Sequence, residues 1–282
     1  MRPRLTTFTN DGLTFEVVDD GPVDGEPIVL LHGFPQTASS WSMLSPYLHE
    51  RGYRTIAPTQ RGYSPGARPR GRLAYRMSKL VGDTTALIDA IGVGPVHLVG
   101  HDWGATVAWC TAVRYPAQVQ TLTSLSVPHP MAFLRSMLRS NQLIRSWYMV
   151  AFQAPWLPEL VLTQRDQMAR GLASTGMHPA RVEQVLHEVL DTGGMRGAVD
   201  WYRAMLLANP LVMRHKVLVP TTHVWSTRDG FLAREGADLA ADYAAGPFRL
   251  EVLDASHWIA DDRPAELAAI IAARVDGSAG AG

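Results

Sequence analysis

Short apolar segments alternate with helical patterns over roughly the first 125 residues of the chain. The strand-like segments are Leu13–Val18, Ile28–Leu31, Arg54–Ala57, Val96–Val99 and Leu122–Ser126. Between them, apolar residues at helical spacing predict helices over 40–50, 78–90 and 105–115. Because strands that alternate with helices form parallel sheets with both faces covered, this pattern constrains the chain to an α/β fold, with a mostly parallel central sheet flanked by helices.

The alternation stops after residue 129, where a purely helical stretch begins. Its helices are predicted over 131–139, 142–152, 158–171, 179–190 and 195–208. The earlier pattern returns with predicted strands Thr221–Trp225 and Arg249–Leu253 and a final helix over 264–274. A helical segment inserted between two parts of one sheet predicts a lid over that sheet. We define the lid as residues 130–210 and predict that it follows the sixth strand, that 1–129 and 211–275 form the core, and that 276–282 form a flexible tail of small residues.

Composition excludes several other classes of protein. The chain has 282 residues, of which 46% are hydrophobic, and its 26 basic and 26 acidic residues balance to zero, so nucleic acid is not an expected partner. No apolar run approaches the roughly 18 residues of a membrane span, and the polar start has no secretion-signal pattern. We therefore expect a cytoplasmic protein with no membrane partner. The single cysteine, Cys110, excludes an intrachain disulfide and a multi-cysteine metal site and is expected to be an inert core thiol.

The most informative segment is the predicted strand Val96–Val99 with the Gly-His-Asp-Trp-Gly that follows it at 100–104. A strand that runs through Gly-x-Asp-x-Gly directly into a helix is typical of a nucleophile elbow, a sharp turn that exposes its middle residue. Gly100 and Gly104 suit such a turn because a Cβ at either position would collide with neighbouring backbone. The middle residue is Asp102, at a helix N-terminus that stabilises its anion. The alternative is a helix-capping aspartate in a glycine-rich loop.

An aspartate nucleophile limits the chemistry. Attack by a carboxylate on an sp³ carbon gives an ester, which suits epoxide opening or halide displacement, whereas attack on an acyl group would give an anhydride. Hydrolysis of that ester then requires a base, an acid that orients the base, and an oxyanion hole.

Candidates for these roles follow other predicted strands. His257, one of ten histidines, lies after the last strand, where the base of this type of fold belongs, although a surface or capping histidine would also fit. Asp229 follows the strand Thr221–Trp225 and is the predicted acid, with an Asp-Gly turn as its alternative role. For the oxyanion hole we predict the backbone N–H groups of Trp103 and of Phe34, in the loop His-Gly-Phe-Pro at 32–35, which could otherwise be a simple turn.

Together these motifs resemble the α/β-hydrolase superfamily, and within it the soluble epoxide hydrolases. The matching segments are His-Gly-Phe-Pro at 32–35, Arg-Gly-Tyr-Ser at 61–64, Gly-His-Asp-Trp-Gly at 100–104, Ser-Val-Pro-His-Pro at 126–130 and Ser-His-Trp at 256–258. The resemblance runs from about Gly25 to Ala272. It implies an epoxide hydrolase with the Asp102–His257–Asp229 triad, no cofactor and no metal.

The resemblance also assigns two lid tyrosines to the epoxide oxygen. Tyr148 precedes a Phe-Gln and a Pro, and Tyr202 lies in a Trp-Tyr-Arg run, as in the enzymes it resembles. Phenols can donate a hydrogen bond or a proton to the alkoxide that ring opening develops. Packing of an aromatic cluster is the alternative role for both. Two departures, Trp156 in place of a glycine and Asp200 in place of an asparagine, concern the shape of the pocket.

The same residues leave other functions open. A haloalkane dehalogenase, or another C–X hydrolase, would share the triad, but the position of Phe34 often carries an asparagine or glutamate there. Fluoroacetate dehalogenases typically have arginine where this chain has Trp103. A non-catalytic binding protein on the same scaffold would require a broken triad, and a serine esterase would require serine at Asp102. The predicted reaction therefore converts an epoxide, expected to be apolar, and water to a vicinal diol, in a monomer or homodimer.

Overall fold

A computed structural model describes residues 3–208 and 214–279, without the side chain of Ala279. Its centre is a sheet of eight strands, numbered β1 to β8 along the chain. The bounds are β1 Thr7–Asn10, β2 Leu13–Asp20, β3 Pro27–Leu31, β4 Arg54–Pro58, β5 Val96–His101, β6 Val119–Leu125, β7 Thr221–Ser226 and β8 Phe248–Leu253.

The spatial order of the strands is β1-β2-β4-β3-β5-β6-β7-β8. The pairs β1–β2 and β2–β4 are antiparallel, and all the other neighbours are parallel. The predicted mostly parallel sheet is confirmed. The pattern analysis missed β1, a four-residue edge strand of alternating exposure in a polar segment, and with β1 counted the lid does follow the sixth strand.

Helices cover both faces of the sheet. Those outside the lid are α1 Ser45–His49, α2 Met77–Ile91, α3 Trp103–Arg114, α11 Arg234–Leu239, α12 Ile259–Asp262 and α13 Pro264–Ala279. Adjacent residues of β3 point to opposite sides: Val29 and Leu31 belong to the core layer that includes α2 and α3, whereas Ile28 and Leu30 belong to the layer that includes α1 and α13. Burial on both faces explains why the parallel strands are almost continuously apolar.

The segment 130–205 is helical, as its pattern predicts, but the predicted helices 142–152 and 158–171 are each divided into two, and the predicted helix 195–208 ends at Met205. The helices are α4 Pro130–Arg139, α5 Gln142–Arg145, α6 Trp147–Ala151, α7 Leu157–Leu162, α8 Arg165–Ser174, α9 Pro179–Val185 and α10 Met195–Met205. A five-residue π-helical turn, Leu186–Leu190, extends α9. The predicted boundary between lid and core at 210/211 lies outside the described residues.

Two predicted boundaries are corrected. The segment 40–50 is not one helix but a short 3₁₀ turn, Ala38–Trp41, followed by α1. The last helix does not end at 274 but continues to Ala279, into the predicted tail. Asp276 accepts a hydrogen bond from the Tyr53 hydroxyl, and Ser278 Oγ accepts one from Gln120 Nε2 at 3.5 Å, so tertiary contacts hold this extension. Residues 280–282 lie outside the described part of the chain.

Within residues 3–208 and 214–279, no helix combines the length and the apolar character needed to cross a bilayer.

Candidate active site

The residues predicted for catalysis converge at one edge of the sheet. Phe34 follows β3, Asp102 follows β5, Asp229 follows β7 and His257 follows β8. These strands are parallel members of one sheet, so their carboxyl ends lie at the same edge. The first lid helix, α4, starts shortly after β6 at that edge, which places the lid beside the converging loops.

The turn between β5 and α3 has the strained geometry of a nucleophile elbow. Asp102 has φ 53° and ψ −120°, a conformation that a non-glycine residue seldom adopts. A Cβ on Gly100 would overlap the carbonyl oxygen of Gly104, and a Cβ on Gly104 would overlap that of Leu31. The two glycines therefore let the helix approach the strands closely enough to hold Asp102 at the tip of the turn.

One oxygen of the Asp102 carboxylate already lies against backbone donors. The Phe34 N–H donates to Asp102 Oδ1 at 2.8 Å. Hydrogen bonding from the Phe34 and Trp103 N–H groups favours the ionised carboxyl and lowers its pKa, and the bond from Phe34 engages Oδ1. This leaves Oδ2 as the oxygen free to attack a substrate.

Burial has the larger effect on Asp102. Removal from water raises the pKa of the carboxyl above its usual value, against the opposing effects of His257 and the two backbone donors. The Asp102 side chain nevertheless keeps 13% of its surface exposed, so a substrate atom can reach it.

The loop that carries Phe34 is fixed from behind by His32. The Gln60 N–H donates to His32 Nε2 at 3.0 Å, so the other ring nitrogen, Nδ1, carries the proton and donates to the Gly33 carbonyl oxygen at 3.1 Å. Burial lowers the pKa of His32 to about 4, so the ring stays neutral. The histidine of the His-Gly-Phe-Pro motif is thus a structural support for the predicted oxyanion hole, a role that the pattern alone did not assign.

His257 and Asp229 form a buried pair. His257 Nδ1 donates to Asp229 Oδ2 at 2.9 Å, which directs the lone pair of Nε2 toward Asp102 Oδ2, 3.8 Å away. Asp229 Oδ1 accepts from the N–H groups of Phe231 and Leu232, at 2.7 and 3.0 Å. Both carboxylate oxygens of Asp229 and Nδ1 of His257 are therefore hydrogen-bonded, and Nε2 of His257 faces Asp102.

The electrostatics of the pair favour the roles of base and acid. Burial raises the pKa of Asp229, but His257 and the two backbone donors outweigh it, and the net pKa is lowered. Burial lowers the pKa of His257, but the Asp229 and Asp102 carboxylates outweigh it, and the net pKa is raised. Asp229 is thus ionised over the physiological pH range and strengthens His257 as a base.

His101 supports the backbone of His257. Its Nε2–H donates to the His257 carbonyl oxygen at 2.9 Å, and burial lowers its pKa to about 3, which keeps the ring neutral. The two rings lie 4.8 Å apart.

The lid brings Tyr148 and Tyr202 together at the same site. Their ring centroids lie 5.9 Å apart, and Tyr202 packs edge to face on Phe34 and Trp103 at 5.3 and 5.1 Å. Burial raises the pKa of both phenols, and the nearby Asp102 carboxylate raises it further. Both tyrosines therefore keep their protons and can act as donors across the ordinary pH range.

Two phenylalanines complete the lining of the site and were not predicted. Phe231 lies between the triad and the lid, with its ring 5.0 Å from His257 and 5.7 Å from Tyr148. Phe152 packs on Tyr202 and Phe34, at 4.9 and 5.8 Å. An aromatic residue two positions after the predicted acid is a signal that could have identified Phe231.

Two motifs of the resemblance have structural roles outside the site. In Arg-Gly-Tyr-Ser at 61–64, Arg61 pairs with Asp83. A Cβ on Gly197 of the lid would lie only 2.5 Å from Gly62 Cα, so this segment is a lid contact. In Ser-Val-Pro-His-Pro, the ring of His129 caps α4 by accepting from the Met131 N–H at 3.2 Å and stacks on Tyr243.

The two departures also have a physical reading. Trp156 has φ 53°, the left-handed region that favours glycine, and its side chain is 80% exposed. Asp200 is buried and lies 3.5 Å from Arg203 Nη1, where burial raises its pKa. The rings that contact Tyr148 are those of Phe152, Tyr202 and Phe231, and Trp156 is not one of them.

The thiol of Cys110 is not activated. Burial raises the pKa of the Cys110 thiol, on α3, to about 12, so it stays protonated at neutral pH. Residues 3–208 and 214–279 contain no cluster of three or more metal-ligating side chains.

The fold and the site define the class of protein. The family model described as the α/β hydrolase fold matches residues 26–264. The chain is 34% identical over 276 residues to epoxide hydrolase 3 of Xenopus tropicalis, a match that covers 93% of this chain and 74% of that protein. It is 32% identical over 269 residues to human epoxide hydrolase 4, with 90% and 74% covered.

A solved structure agrees with these relatives. Epoxide hydrolase A from Mycobacterium thermoresistibile superposes with a TM-score of 0.80 at 27% identity, covering 96% of this chain and 97% of that chain. The chain belongs to the α/β hydrolase family. Within that family it is an epoxide hydrolase-like protein, as its motifs predict.

Proposed function

We propose that the protein hydrolyses epoxides to vicinal diols through a covalent ester on Asp102. The observation that carries this proposal is that the two oxygens of the Asp102 carboxylate have different neighbours. Oδ1 accepts from the Phe34 N–H at 2.8 Å, while Oδ2 lies 3.8 Å from His257 Nε2. A carboxylate held in this way has one oxygen for attack and one for the later negative charge.

In the first half-reaction, Asp102 Oδ2 attacks one carbon of the epoxide. The C–O bond of the ring breaks, its electron pair goes to the epoxide oxygen, and the phenols of Tyr148 and Tyr202 hydrogen-bond that oxygen and supply its proton. Because burial keeps both phenols protonated, two donors are in place when the alkoxide develops. The product of this step is a hydroxyalkyl ester.

In the second half-reaction, His257 Nε2 takes a proton from water, and the resulting hydroxide attacks Asp102 Cγ. The negative charge develops on Oδ1, where the N–H groups of Phe34 and Trp103 stabilise it by about 3 kcal/mol per donor. The Cγ–Oδ2 bond then breaks, and Oδ2 leaves with the diol and takes the proton from His257. Asp229 stabilises the imidazolium that exists between these two proton transfers. The second proton of the water leaves the regenerated Asp102 carboxyl and restores the tyrosine that protonated the epoxide oxygen.

The lid favours an epoxide over an alkyl halide as substrate. Two buried phenols that meet at the nucleophile suit an oxygen that becomes basic during the reaction, whereas a departing halide needs no proton. The aromatic rings of Phe34, Phe152 and Phe231 surround the same space and suit an apolar substituent on the epoxide.

The covalent mechanism can be tested by following where the oxygen atom of water goes. In a single turnover with excess enzyme in ¹⁸O water, the label should enter the Asp102 carboxylate, and the first diol should be unlabelled. Peptide mass spectrometry locates the label, and Asp102→Asn is the matched control. Label in the diol of the first turnover would show direct attack by water and overturn the covalent mechanism.

A further inference from the structure

A buried glutamine in the lid connects it to the loop of the catalytic acid. Gln142, the first residue of α5, is 1% exposed. Its Nε2 donates to the Phe231 carbonyl oxygen at 2.8 Å and to Ser146 Oγ at 2.9 Å, and its Oε1 accepts from the Ala233 N–H at 2.7 Å. The hydrogen bonds to Phe231 and Ala233 join the lid to the loop 229–233. A buried side-chain amide with this set of partners specifies one arrangement of the two segments.

Arg145, on the next turn of the lid, holds the same loop. Its Nη1 donates to the Asp229 carbonyl oxygen at 2.6 Å and reaches the Leu232 carbonyl oxygen at 3.5 Å. With Gln142, the lid thus contacts the backbone of Asp229, Phe231, Leu232 and Ala233.

The conformation of this loop sets the Asp229 carboxylate. Asp229 Oδ1 accepts from the N–H groups of Phe231 and Leu232, and its Oδ2 accepts from His257 Nδ1 at 2.9 Å. The first two hydrogen bonds hold the carboxylate to its own loop, so a displacement of that loop by 1 Å would lengthen the bond to His257, on which the orientation of the ring depends.

The same lid segment carries Tyr148. α6 begins at Trp147, directly after Ser146, which Gln142 also contacts. The Tyr148 ring meets that of Phe231 at 5.7 Å, so the contact between lid and loop continues to the edge of the site. The residue proposed to hold the epoxide oxygen and the residue proposed to orient the base are therefore fixed to each other through Gln142 and Arg145.

We propose that Gln142 and Arg145 are positioning residues that hold Tyr148, on the lid, in register with the Asp229–His257 pair, on the core, so that one contact serves both half-reactions. This inference rests on the proposed function. It predicts that loosening the contact slows attack on the epoxide, which needs Tyr148, and also hydrolysis of the ester, which needs Asp229.

The charged groups around His257 predict the direction of a pH effect. The groups that face it are Asp229 and Asp102, which raise its pKa, and His101, which burial keeps neutral, with the phenol of Tyr148 close to both carboxylates. If the loop relaxes and Asp229 moves away, the pKa of His257 falls. Because hydrolysis requires neutral His257, the acid limb of its pH–rate profile should then move to lower pH.

The test is Gln142→Met, which keeps the length of the side chain and removes the amide, with Gln167→Met on the exposed surface of α8 as matched control. Rapid mixing with an aryl epoxide, followed by quenching and intact-protein mass spectrometry, measures formation and decay of the ester per active enzyme molecule. We expect both rate constants to fall about tenfold, with the acid limb of decay displaced to lower pH. The control should match the unmodified protein.

A second variant and a double-mutant cycle keep the test decisive if Gln142→Met folds poorly. Arg145→Met removes a half-buried side chain and should slow both steps in the same direction. Combined with Tyr148→Phe, either variant should slow ester formation by much less than it does alone, because Tyr148 no longer donates. Unchanged rate constants per active molecule, an unmoved pH limb or fully additive effects would overturn the proposal. Absence of any ester in the unmodified protein would instead contradict the proposed function.

Discussion

The core and the lid contribute to the same site by different physical means. In the core, backbone geometry places the proposed nucleophile: Asp102 lies at a strained turn, and Gly100 and Gly104 are in positions where a Cβ would overlap backbone oxygens. In the lid, Tyr148 and Tyr202 are placed by ring packing and by side-chain hydrogen bonds to backbone, such as that from Gln153 Nε2 to the Tyr202 carbonyl oxygen at 2.9 Å.

Because of this difference, the core and the lid should tolerate amino-acid substitutions to different degrees. Backbone overlap cannot be relieved by a rotamer change, whereas a side-chain contact can be replaced by a similar one. We therefore expect substitutions at the elbow to have large effects and substitutions of one lid group to have smaller ones, since the second tyrosine remains.

The largest effect is expected for Asp102→Asn. An amide cannot form the ester, so diol formation should fall by about 10,000-fold or more, measured by product analysis with an aryl epoxide. Mass spectrometry of the variant must first show that the asparagine has not deamidated to aspartate. Activity near that of the unmodified protein in a confirmed Asp102→Asn sample would reject Asp102 as nucleophile.

Gly104→Ala tests the backbone part of the comparison. The added Cβ would overlap the Leu31 carbonyl oxygen, so the free energy of unfolding should fall by about 3 kcal/mol or more, measured by urea denaturation. Gly171→Ala is the matched control in α8, where a Cβ meets nothing within 4 Å, and should stabilise the protein by about 0.5–1 kcal/mol. Equal effects of the two substitutions would contradict the assignment of Gly104 to a close backbone approach.

A smaller effect on catalysis than that of Asp102→Asn is expected for Tyr148→Phe and Tyr202→Phe. Each removes one donor to the developing alkoxide and should slow ester formation by about 10- to 100-fold, near the lower end of what a general acid contributes. Decay of the ester should change less, because neither phenol takes part in it. Tyr115→Phe, at an exposed position outside the site, serves as control. If neither variant slows ester formation, the lid does not hold the epoxide oxygen.

The sequence predicted the parts of the site that depend on local backbone chemistry. Gly-His-Asp-Trp-Gly after an apolar strand predicts the elbow, and β5 and α3 have the expected places on either side of it. The site positions of Asp229 and His257 followed from where the predicted strands end, since the carboxyl ends of parallel strands meet. The first strand, β1, was missed because a four-residue edge strand with polar neighbours has little hydrophobic pattern.

The lid was harder to predict in detail. The pattern over 142–152 gave one helix, whereas the chain forms α5 and α6 with Ser146 between them. The hydroxyl of Ser146 accepts from Gln142 inside the protein, a contact that the periodicity of apolar residues does not report.

The class of fold, the elbow and the residues proposed as the triad could all be predicted from the sequence, because glycines, strand ends and apolar periodicity act over a few residues. Only the tertiary structure decided the tautomer of His32, the placement of Phe231 between His257 and Tyr148, and the attachment of Gln142 to the acid loop. These features join residues that are far apart in the chain, for example the 89 positions from Gln142 to Phe231, and such contacts exist only after the core and the lid have packed together.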